Sequence, residues 1–168
     1  MVYFLILILG AAAAVLLVLS VIDLRIRLLP NVWNAALAGL AVVFHGMGGF
    51  AVLSPFDMAM GAAMGGGLLW VIRFGANWYY GQDALGLGDV KLMAAAGLWL
   101  GGHDVLSALI VGALAGIVHG GGVLIAHKIK HTMMPPLSHF SIPAGPGFCF
   151  GIFAIGAWVY APFISGMF

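Results

Sequence analysis

Apolar segments follow one another along almost the whole chain, and short polar stretches separate them. These segments are roughly 20 residues long and do not alternate apolar with polar positions, which is typical of membrane-spanning helices and not of barrel strands. They predict helices at residues of roughly 3–22, 32–47, 55–74, 89–100, 105–126 and 147–163. We therefore expect an all-α integral membrane protein with about six transmembrane helices, in one domain covering residues 1–168.

Composition agrees with a membrane location. Hydrophobic residues make up 64% of the chain and charged residues 7%, whereas soluble domains carry roughly a quarter charged residues. This leaves too little polar surface to cover a soluble globule, so the lipid bilayer is the expected surrounding. A formal net charge of +1 gives no reason to expect a nucleic-acid partner.

The first apolar segment is interpreted as a retained helix. It lacks the basic region that begins a signal peptide, and its apolar run continues to about Ile22, which is long enough to span a bilayer.

The basic residues predict the orientation of the chain. All 6 Lys and Arg residues lie in or beside the odd-numbered loops, at Arg25, Arg27, Arg73, Lys91, Lys128 and Lys130. Because positive charge marks the cytoplasmic side, we expect the odd loops inside and both termini outside the cytoplasm. Asp23 and Asp89 then fall on the cytoplasmic face, and Asp57 and Asp104 fall on the opposite face.

Asp23 and Asp89 are the main candidates for chemistry. The chain has 5 acidic residues, all of them Asp, and an ionisable group at the edge of a membrane segment is by default a functional-site hypothesis. If the first and fourth helices pack together, the two carboxyl groups face each other. Two close carboxylates cannot both ionise at low cost, so one would activate water while the protonated partner polarises a scissile carbonyl.

Each aspartate also has a simpler interpretation. Asp89 follows Gly86-Leu87-Gly88 and begins an apolar helix, where aspartate is a good N-cap. Asp23 is also compatible with a stop-transfer edge, paired with Arg25 or Arg27. Other protease types are disfavoured, because the absence of Glu excludes the His-Glu-x-x-His zinc motif and no Gly-x-Ser-x-Gly occurs.

Three stretches together resemble the type IV prepilin peptidases, which are membrane aspartyl proteases of the Gly-x-Gly-Asp type. They are Asp23-Leu24-Arg25-Ile26-Arg27-Leu28-Leu29-Pro30-Asn31, Gly86-Leu87-Gly88-Asp89-Val90-Lys91-Leu92 and Ile142-Pro143-Ala144-Gly145-Pro146-Gly147. Leu29 stands where the family usually has Ile, and Ala144 where it has Phe. The presenilin-like proteases share Gly-x-Gly-Asp, but their Pro-Ala-Leu motif is missing here.

The resemblance implies a function and a set of site residues. Asp23 and Asp89 would be catalytic, with Gly86, Gly88 and Lys91 as supporting motif residues and with no cofactor or metal. The enzyme would remove the short basic leader of a prepilin just before the prepilin's hydrophobic helix. It would lie in the bacterial inner membrane with its active site facing the cytoplasm, and pilus assembly machinery would be a further partner.

The short form resembles the peptidases of tight-adherence (Flp-type) pilus systems. Larger members carry an N-terminal extension with paired cysteines and also methylate the new N-terminus. Because this sequence has 1 Cys and no such extension, we expect no methyltransferase activity.

Other residues have less specific interpretations. Lys91 is an interfacial anchor or a ligand for lipid phosphate or a substrate carboxylate. His127 and His131 share a helix face at metal-ligand spacing, but interfacial polar residues are the commoner explanation. An interfacial aromatic belt is predicted at Trp78, Tyr79 and Tyr80, and the alternative is that these residues dock the substrate. Asp83 is interpreted as a solvated loop residue within reach of the site. Cys149 is interpreted as a small buried hydrophobe.

Two functions of other classes remain open at this point. One is a small proton- or cation-coupled transporter that uses Asp23 and Asp89. Transporters more often place charges near the membrane midplane and contain an internal repeat, and neither feature is evident here. The other is an assembly component without chemistry.

Overall fold

The fold of the computed structural model is all-α. The structure describes residues 2–81, 85–130 and 144–165, with the side chains of residues 123, 124 and 126–130 left aside. Within these ranges the helices are α1 (Val2–Ile26), α2 (Asn31–Met47), α3 (Pro55–Tyr80), α4 (Leu87–Lys130) and α5 (Gly145–Ser165). The prediction of a helical membrane protein is confirmed, because 4 of these helices contain a stretch long and apolar enough to cross a membrane.

Those four helices are α1, α3, α4 and α5, whereas α2 has only 17 residues. The predicted spans at 3–22, 32–47, 55–74 and 147–163 correspond to α1, α2, α3 and α5. The predicted fourth and fifth spans, at 89–100 and 105–126, both fall within α4.

Helix α4 turns back on itself at Gly101. This residue has φ 73° and ψ −178°, a positive φ that glycine adopts without the steric cost of a Cβ atom. The turn brings Met93, before Gly101, and Val105, after it, to the same residue of α3. A Cβ placed on Gly65 would lie 2.5 Å from the Met93 carbonyl and 2.8 Å from a Val105 methyl. Residues on both sides of Gly101 thus reach one glycine of α3, and α4 consists of two legs, residues 87–100 and 102–130.

Close backbone contact holds α3 against the first leg of α4. A Cβ on Gly61 would collide with the backbone of Gly97, and a Cβ on Gly66 would lie 2.9 Å from that of Ala94. Small residues at such positions let two helices approach closely, which is how helices associate in lipid. These glycines therefore allow α3 and the first leg of α4 to pack closely.

One face of the bundle collects the helix ends that matter below. The end of α1 contacts the start of α5 through Asp23 and Gly145, and the start of α2 contacts the start of α4 through Asn31 and Lys91. We call this the site face. Because α1 is 25 residues long, its first residue lies about 36 Å along the helix axis from the last.

The opposite face has polar contacts of its own. Asp57 forms a capping box with Ser54 at the start of α3, in which the Ser54 hydroxyl donates to Asp57 at 2.7 Å. Asp104 lies 2.9 Å from Nδ1 of His103, just after the turn at Gly101. As predicted, neither carboxylate joins Asp23 or Asp89.

A buried polar cluster ties α2, α4 and α5 together. The indole N–H of Trp99 donates to the Leu37 carbonyl at 2.9 Å, and the Tyr160 hydroxyl donates to the Trp99 carbonyl. His45 lies with Nε2 3.2 Å from that hydroxyl and is 1% exposed. These contacts pair the Trp99 indole, the Tyr160 hydroxyl and Nε2 of His45, as buried polar atoms require, whereas Nδ1 of His45 has no hydrogen-bond partner among the described residues.

Candidate active site

Asp23 lies in the last turn of α1. The helix ends because Arg27 adopts φ 55°, and the Arg27 N–H donates to the Asp23 carbonyl at 2.9 Å. The Asp23 side chain is buried, with 6% of its surface exposed. Its Oδ2 accepts the N–H of Gly145 at 3.0 Å. Gly145 begins α5, where the first N–H groups lack partners within the helix. Arg27 also interacts electrostatically with Asp23, as the alternative interpretation expected.

Gly145 leaves room for this carboxylate. A Cβ at Gly145 would lie 2.6 Å from Oδ2 and 2.8 Å from Cγ of Asp23, closer than real Cβ contacts come. The sequence pointed to this region through the stretch at 142–147 but not to Gly145 itself. Ile142 and Pro143, also quoted for the resemblance, lie outside the described residues.

Asp89 lies in the first turn of α4 and is 9% exposed. Because α4 begins at Leu87, Gly86 occupies the capping position and Asp89 the third position of the helix. The Asp89 carboxylate accepts a backbone hydrogen bond from Gly86. This is the contact that an acidic side chain at the third position makes back to the cap. The interpretation of Asp89 as the N-cap is therefore wrong, because Gly86 occupies that position. The Asp89 side chain nevertheless stabilises the start of α4 through its hydrogen bond with Gly86.

Gly88 and Lys91 join the start of α4 to the chain that enters α2. A Cβ at Gly88 would lie 2.7 Å from the Cβ of Leu29, so a glycine is needed where the two backbones meet. The Lys91 ammonium donates to the Asn31 side-chain oxygen at 2.8 Å. The Asn34 amide donates to the Gly88 carbonyl at 3.4 Å. Two of the three sequence stretches thus contact each other directly.

Asp23 and Asp89 lie close enough for their charges to interact. This approach was expected for the case that the first and fourth helices pack together. In the described residues α1 packs on α2 and α5, and α4 packs on α2, α3 and α5. Helices α2 and α5 are therefore the elements that contact both α1 and α4.

Cys149 on α5 also lies at this place. Its side chain is 4% exposed and lies within electrostatic range of both Asp23 and Asp89. The prediction of a small buried side chain is confirmed, but nothing in the sequence indicated that Cys149 lies near the two carboxyl groups.

Arg73 makes a contact at the site that the sequence did not predict. Its guanidinium, near the end of α3, donates to the Leu85 carbonyl one residue before Gly86. A long basic side chain of α3 thus holds the segment that leads into Asp89.

The remaining predicted residues lie elsewhere or are not described. Trp78, Tyr79 and Tyr80 are exposed at the end of α3, as an aromatic belt would be. Asp83, His131 and the side chain of His127 lie outside the described residues. Across residues 2–81, 85–130 and 144–165, no group of three His, Cys, Asp or Glu side chains is placed to hold a metal ion.

Residues 10–121 match the type IV leader peptidase family, and the chain belongs to this family. Both Asp23 and Asp89 lie within the matched residues, whereas Gly145 and Cys149 do not. Family membership favours a protease over the transport and assembly interpretations.

Individual relatives carry the name prepilin leader peptidase/N-methyltransferase. The protein of Pectobacterium carotovorum subsp. carotovorum is 39% identical over 103 residues, covering 61% of this chain and 36% of the relative. That of Escherichia coli strain K12 is 39% identical over 101 residues, covering 60% and 44%. That of Aeromonas salmonicida strain A449 is 32% identical over 145 residues, covering 86% and 45%.

The aligned part spans less than half of the length of these relatives. No solved structure matches the chain.

Proposed function

We propose that this chain is a membrane-embedded aspartic endopeptidase that removes the leader peptide of prepilins, with Asp23 and Asp89 as its catalytic residues. The observation that carries the proposal is the convergence of two buried aspartates from α1 and α4, which lie 66 positions apart in the sequence, at one face of the bundle. Family membership and the names of the relatives supply the reaction and the substrate class.

The proposed chemistry needs one proton shared by the two carboxyl groups. Like charges in close proximity disfavour double ionisation, so one carboxyl group is protonated while the other is ionised. The ionised group accepts a proton from a water molecule as that water attacks the scissile carbonyl carbon. The protonated group donates to the carbonyl oxygen, and a proton then passes to the leaving amine as the peptide C–N bond breaks.

The proposed orientation places the site face in the cytoplasm of a bacterium, at the inner membrane. The support is the distribution of the 6 basic residues along the chain: two follow Asp23, one lies near the end of α3, one begins α4 and two end α4, whereas none lies between α2 and α3 or beside Gly101. Such an asymmetry is typical of cytoplasmic segments. With α2 as a short span and α4 crossing twice through its turn at Gly101, the chain would cross six times and place both termini outside the cytoplasm.

Within the prepilins, the proposed substrate is the Flp type. The support is the resemblance of this sequence to the short peptidases of tight-adherence (Flp-type) pilus systems. We also propose that these residues carry peptidase activity without methyl transfer. The relatives are named for both activities, whereas the paired cysteines of the larger, methylating members are absent from these residues, which include 1 Cys.

A cleavage assay tests the proposal. A Flp-type prepilin is co-expressed with the wild type, Asp23→Asn, Asp89→Asn or Asp104→Asn, and leader loss is read by gel shift and mass. The matched control is Asp104, because it is also an aspartate at a helix of the same chain but lies on the opposite face next to His103.

We expect cleavage by the wild type and by Asp104→Asn. The cleavage rate should fall by at least about a thousandfold in Asp23→Asn and in Asp89→Asn, because each change removes one of two carboxyl groups that act as a unit. Normal cleavage by membrane-inserted Asp23→Asn or Asp89→Asn would exclude the carboxyl pair. A methyl group on the mature N-terminus, detected by the same mass measurement in cells without another methyltransferase, would contradict the proposed absence of methyl transfer.

A further inference from the structure

An apolar groove runs between α1 and α5. Two adjoining cavities of about 140 and 360 Å³ form it, and they share Ala13, Leu16 and Phe153 as lining residues. The cavity nearer the site face is bordered by Ser20, Pro146 and Cys149. The deeper cavity extends to Leu9, Tyr160 and Ile164, with Leu37 and Trp99 at its floor.

The groove leads to the carboxyl pair. On α1 its lining includes Leu9, Ala13, Leu16 and Ser20, at the three- and four-residue spacing of one helix face. Three residues after Ser20 the same face presents Asp23. On α5 the groove begins at Pro146, the neighbour of Gly145, which donates its N–H to Asp23. Cys149 both lines the groove and lies beside the two carboxyl groups.

We propose that this groove binds the hydrophobic helix of the substrate, the segment that follows the bond to be cut. The inference rests on the proposed peptidase function and names the surface that selects the substrate. A peptide helix in the groove would extend from the carboxyl pair into the membrane. The bond at its polar end would then lie at Asp23 and Asp89, and cleavage would occur just before the apolar segment.

The shape and chemistry of the lining fit a helix. From Ser20 to Leu9 the groove follows α1 for about 17 Å, which corresponds to about three turns of a bound helix. Its walls include Ala12, Ala13, Gly156 and Ala157. Small residues of this kind let a second helix approach closely in lipid, where dispersion packing drives helix association. No charged residue lines either cavity.

Photo-crosslinking tests which molecule occupies the groove. A photoreactive phenylalanine analogue replaces Phe153, which lines both cavities, or Trp158, which is 81% exposed on the same helix and lines neither. Both are placed in an Asp89→Asn background, which is expected to keep the substrate intact, and irradiated in membranes that contain a Flp-type prepilin. We expect at least about tenfold more crosslinked prepilin at Phe153 than at Trp158, with the crosslink mapped to the prepilin's hydrophobic helix.

A steric pair of variants tests the same surface by kinetics. Ala13 faces the groove, and Ala14, the next residue, is exposed on another side of α1. Ala13→Leu is expected to raise KM for full-length prepilin about tenfold with little change in kcat, in line with the cost of overfilling a packed site. Ala14→Leu is expected to leave KM unchanged. A short peptide with the leader and the scissile bond but no hydrophobic helix should be cut equally by both variants and the wild type.

The outcomes separate this inference from the proposed function. Cleavage by the wild type with equal crosslinking at Phe153 and Trp158, or with lipid as the main adduct at Phe153, would overturn the groove and leave the peptidase intact. Crosslinking of the prepilin helix at Phe153 without cleavage by the wild type would support the groove and refute the peptidase. Equal effects of Ala13→Leu on the full-length and short substrates would also contradict the groove.

Discussion

Each buried aspartate is held by the backbone N–H of a glycine at a helix start. Gly145 begins α5 and serves Asp23, and Gly86 precedes α4 and serves Asp89. The first N–H groups of a helix are unpaired within it and carry the positive end of its dipole, so they suit an anionic side chain. The donor to Asp23 belongs to a different helix, whereas the donor to Asp89 is the cap of its own helix.

Gly145→Ala tests the more crowded of these two contacts. The added methyl would lie 2.6 Å from the Asp23 carboxylate oxygen, so the carboxyl group must move. Displacing a reacting group by about 1 Å costs on the order of a hundredfold in rate, and we expect kcat to fall by that factor. The measurement is prepilin cleavage by purified variants together with the thermal midpoint of unfolding in detergent.

Two glycines provide graded controls for this prediction. At Gly86 the nearest atom to a new Cβ is Oδ2 of Asp89 at 3.1 Å, and at Gly67 no atom lies within 4 Å. We therefore expect an intermediate loss for Gly86→Ala and normal activity for Gly67→Ala. A Gly145→Ala variant that is folded and as active as Gly67→Ala would show that the position of Asp23 does not depend on this contact.

At the scale of the elements, apolar segment length predicted most of the fold. It predicted α1, α3 and α5 because each contains one long, mostly apolar run. It also located the break between residues 100 and 105, at Gly101-Gly102-His103-Asp104. It did not predict how the helices pack, since most faces of a membrane helix are apolar and carry little directional signal. Packing of α1 on α4 was therefore only a condition in the sequence analysis, and in the described residues α2 and α5 are the helices that contact both.

The candidate site was predictable only in part. Asp23 and Asp89 were evident because charges are rare in this sequence. The contacts of Gly145 and Arg73 were not, because one uses the Gly145 N–H and the other the Leu85 carbonyl, backbone groups that a sequence does not display. The contact between Asn31 and Lys91 was missed because 60 positions separate the two residues.

The contact between α2 and α4 predicts coupling between Asn31 and Lys91. The bond between them, 2.8 Å long, lies two residues from Asp89, so its loss would loosen the start of α4. We expect Asn31→Ala and Lys91→Ala each to lower kcat/KM about fivefold, the effect of one hydrogen bond of about 1 kcal/mol. The kcat/KM of the double variant should equal that of the less active single variant, because both changes remove the same interaction.

A double-mutant cycle on prepilin cleavage measures this coupling. Additive losses, giving about twenty-five-fold in the double variant, would mean that Lys91 acts on its own, for example on lipid phosphate or a substrate carboxylate. Lys91→Ala paired with Asp104→Asn on the opposite face is the uncoupled reference, for which additivity is expected.

At the scale of the whole molecule, the bundle separates its two faces by chemistry. The site face has the carboxyl pair together with Arg27, Arg73 and Lys91, while the opposite face has Asp57 and Asp104 in local helix-end contacts. A leader peptide reaches its peptidase from the compartment in which prepilins are made, so the proposed function requires the site face to lie in the cytoplasm. The charge asymmetry and the proposed reaction therefore lead to the same orientation by independent arguments.

Single cysteines on the two faces test this orientation. Leu28, between α1 and α2 on the site face, is 64% exposed, and Ala51, between α2 and α3 on the other face, is also exposed. The native Cys149 is 4% exposed, so the wild type should give a low background with a thiol reagent that cannot cross membranes. Added to spheroplasts, the reagent should label Ala51→Cys at once and Leu28→Cys only after the membrane is opened. Labelling of Leu28→Cys in sealed spheroplasts would place the carboxyl pair outside the cytoplasm, away from any leader peptide, and the proposed substrate would then be wrong even if Asp23 and Asp89 proved to be catalytic.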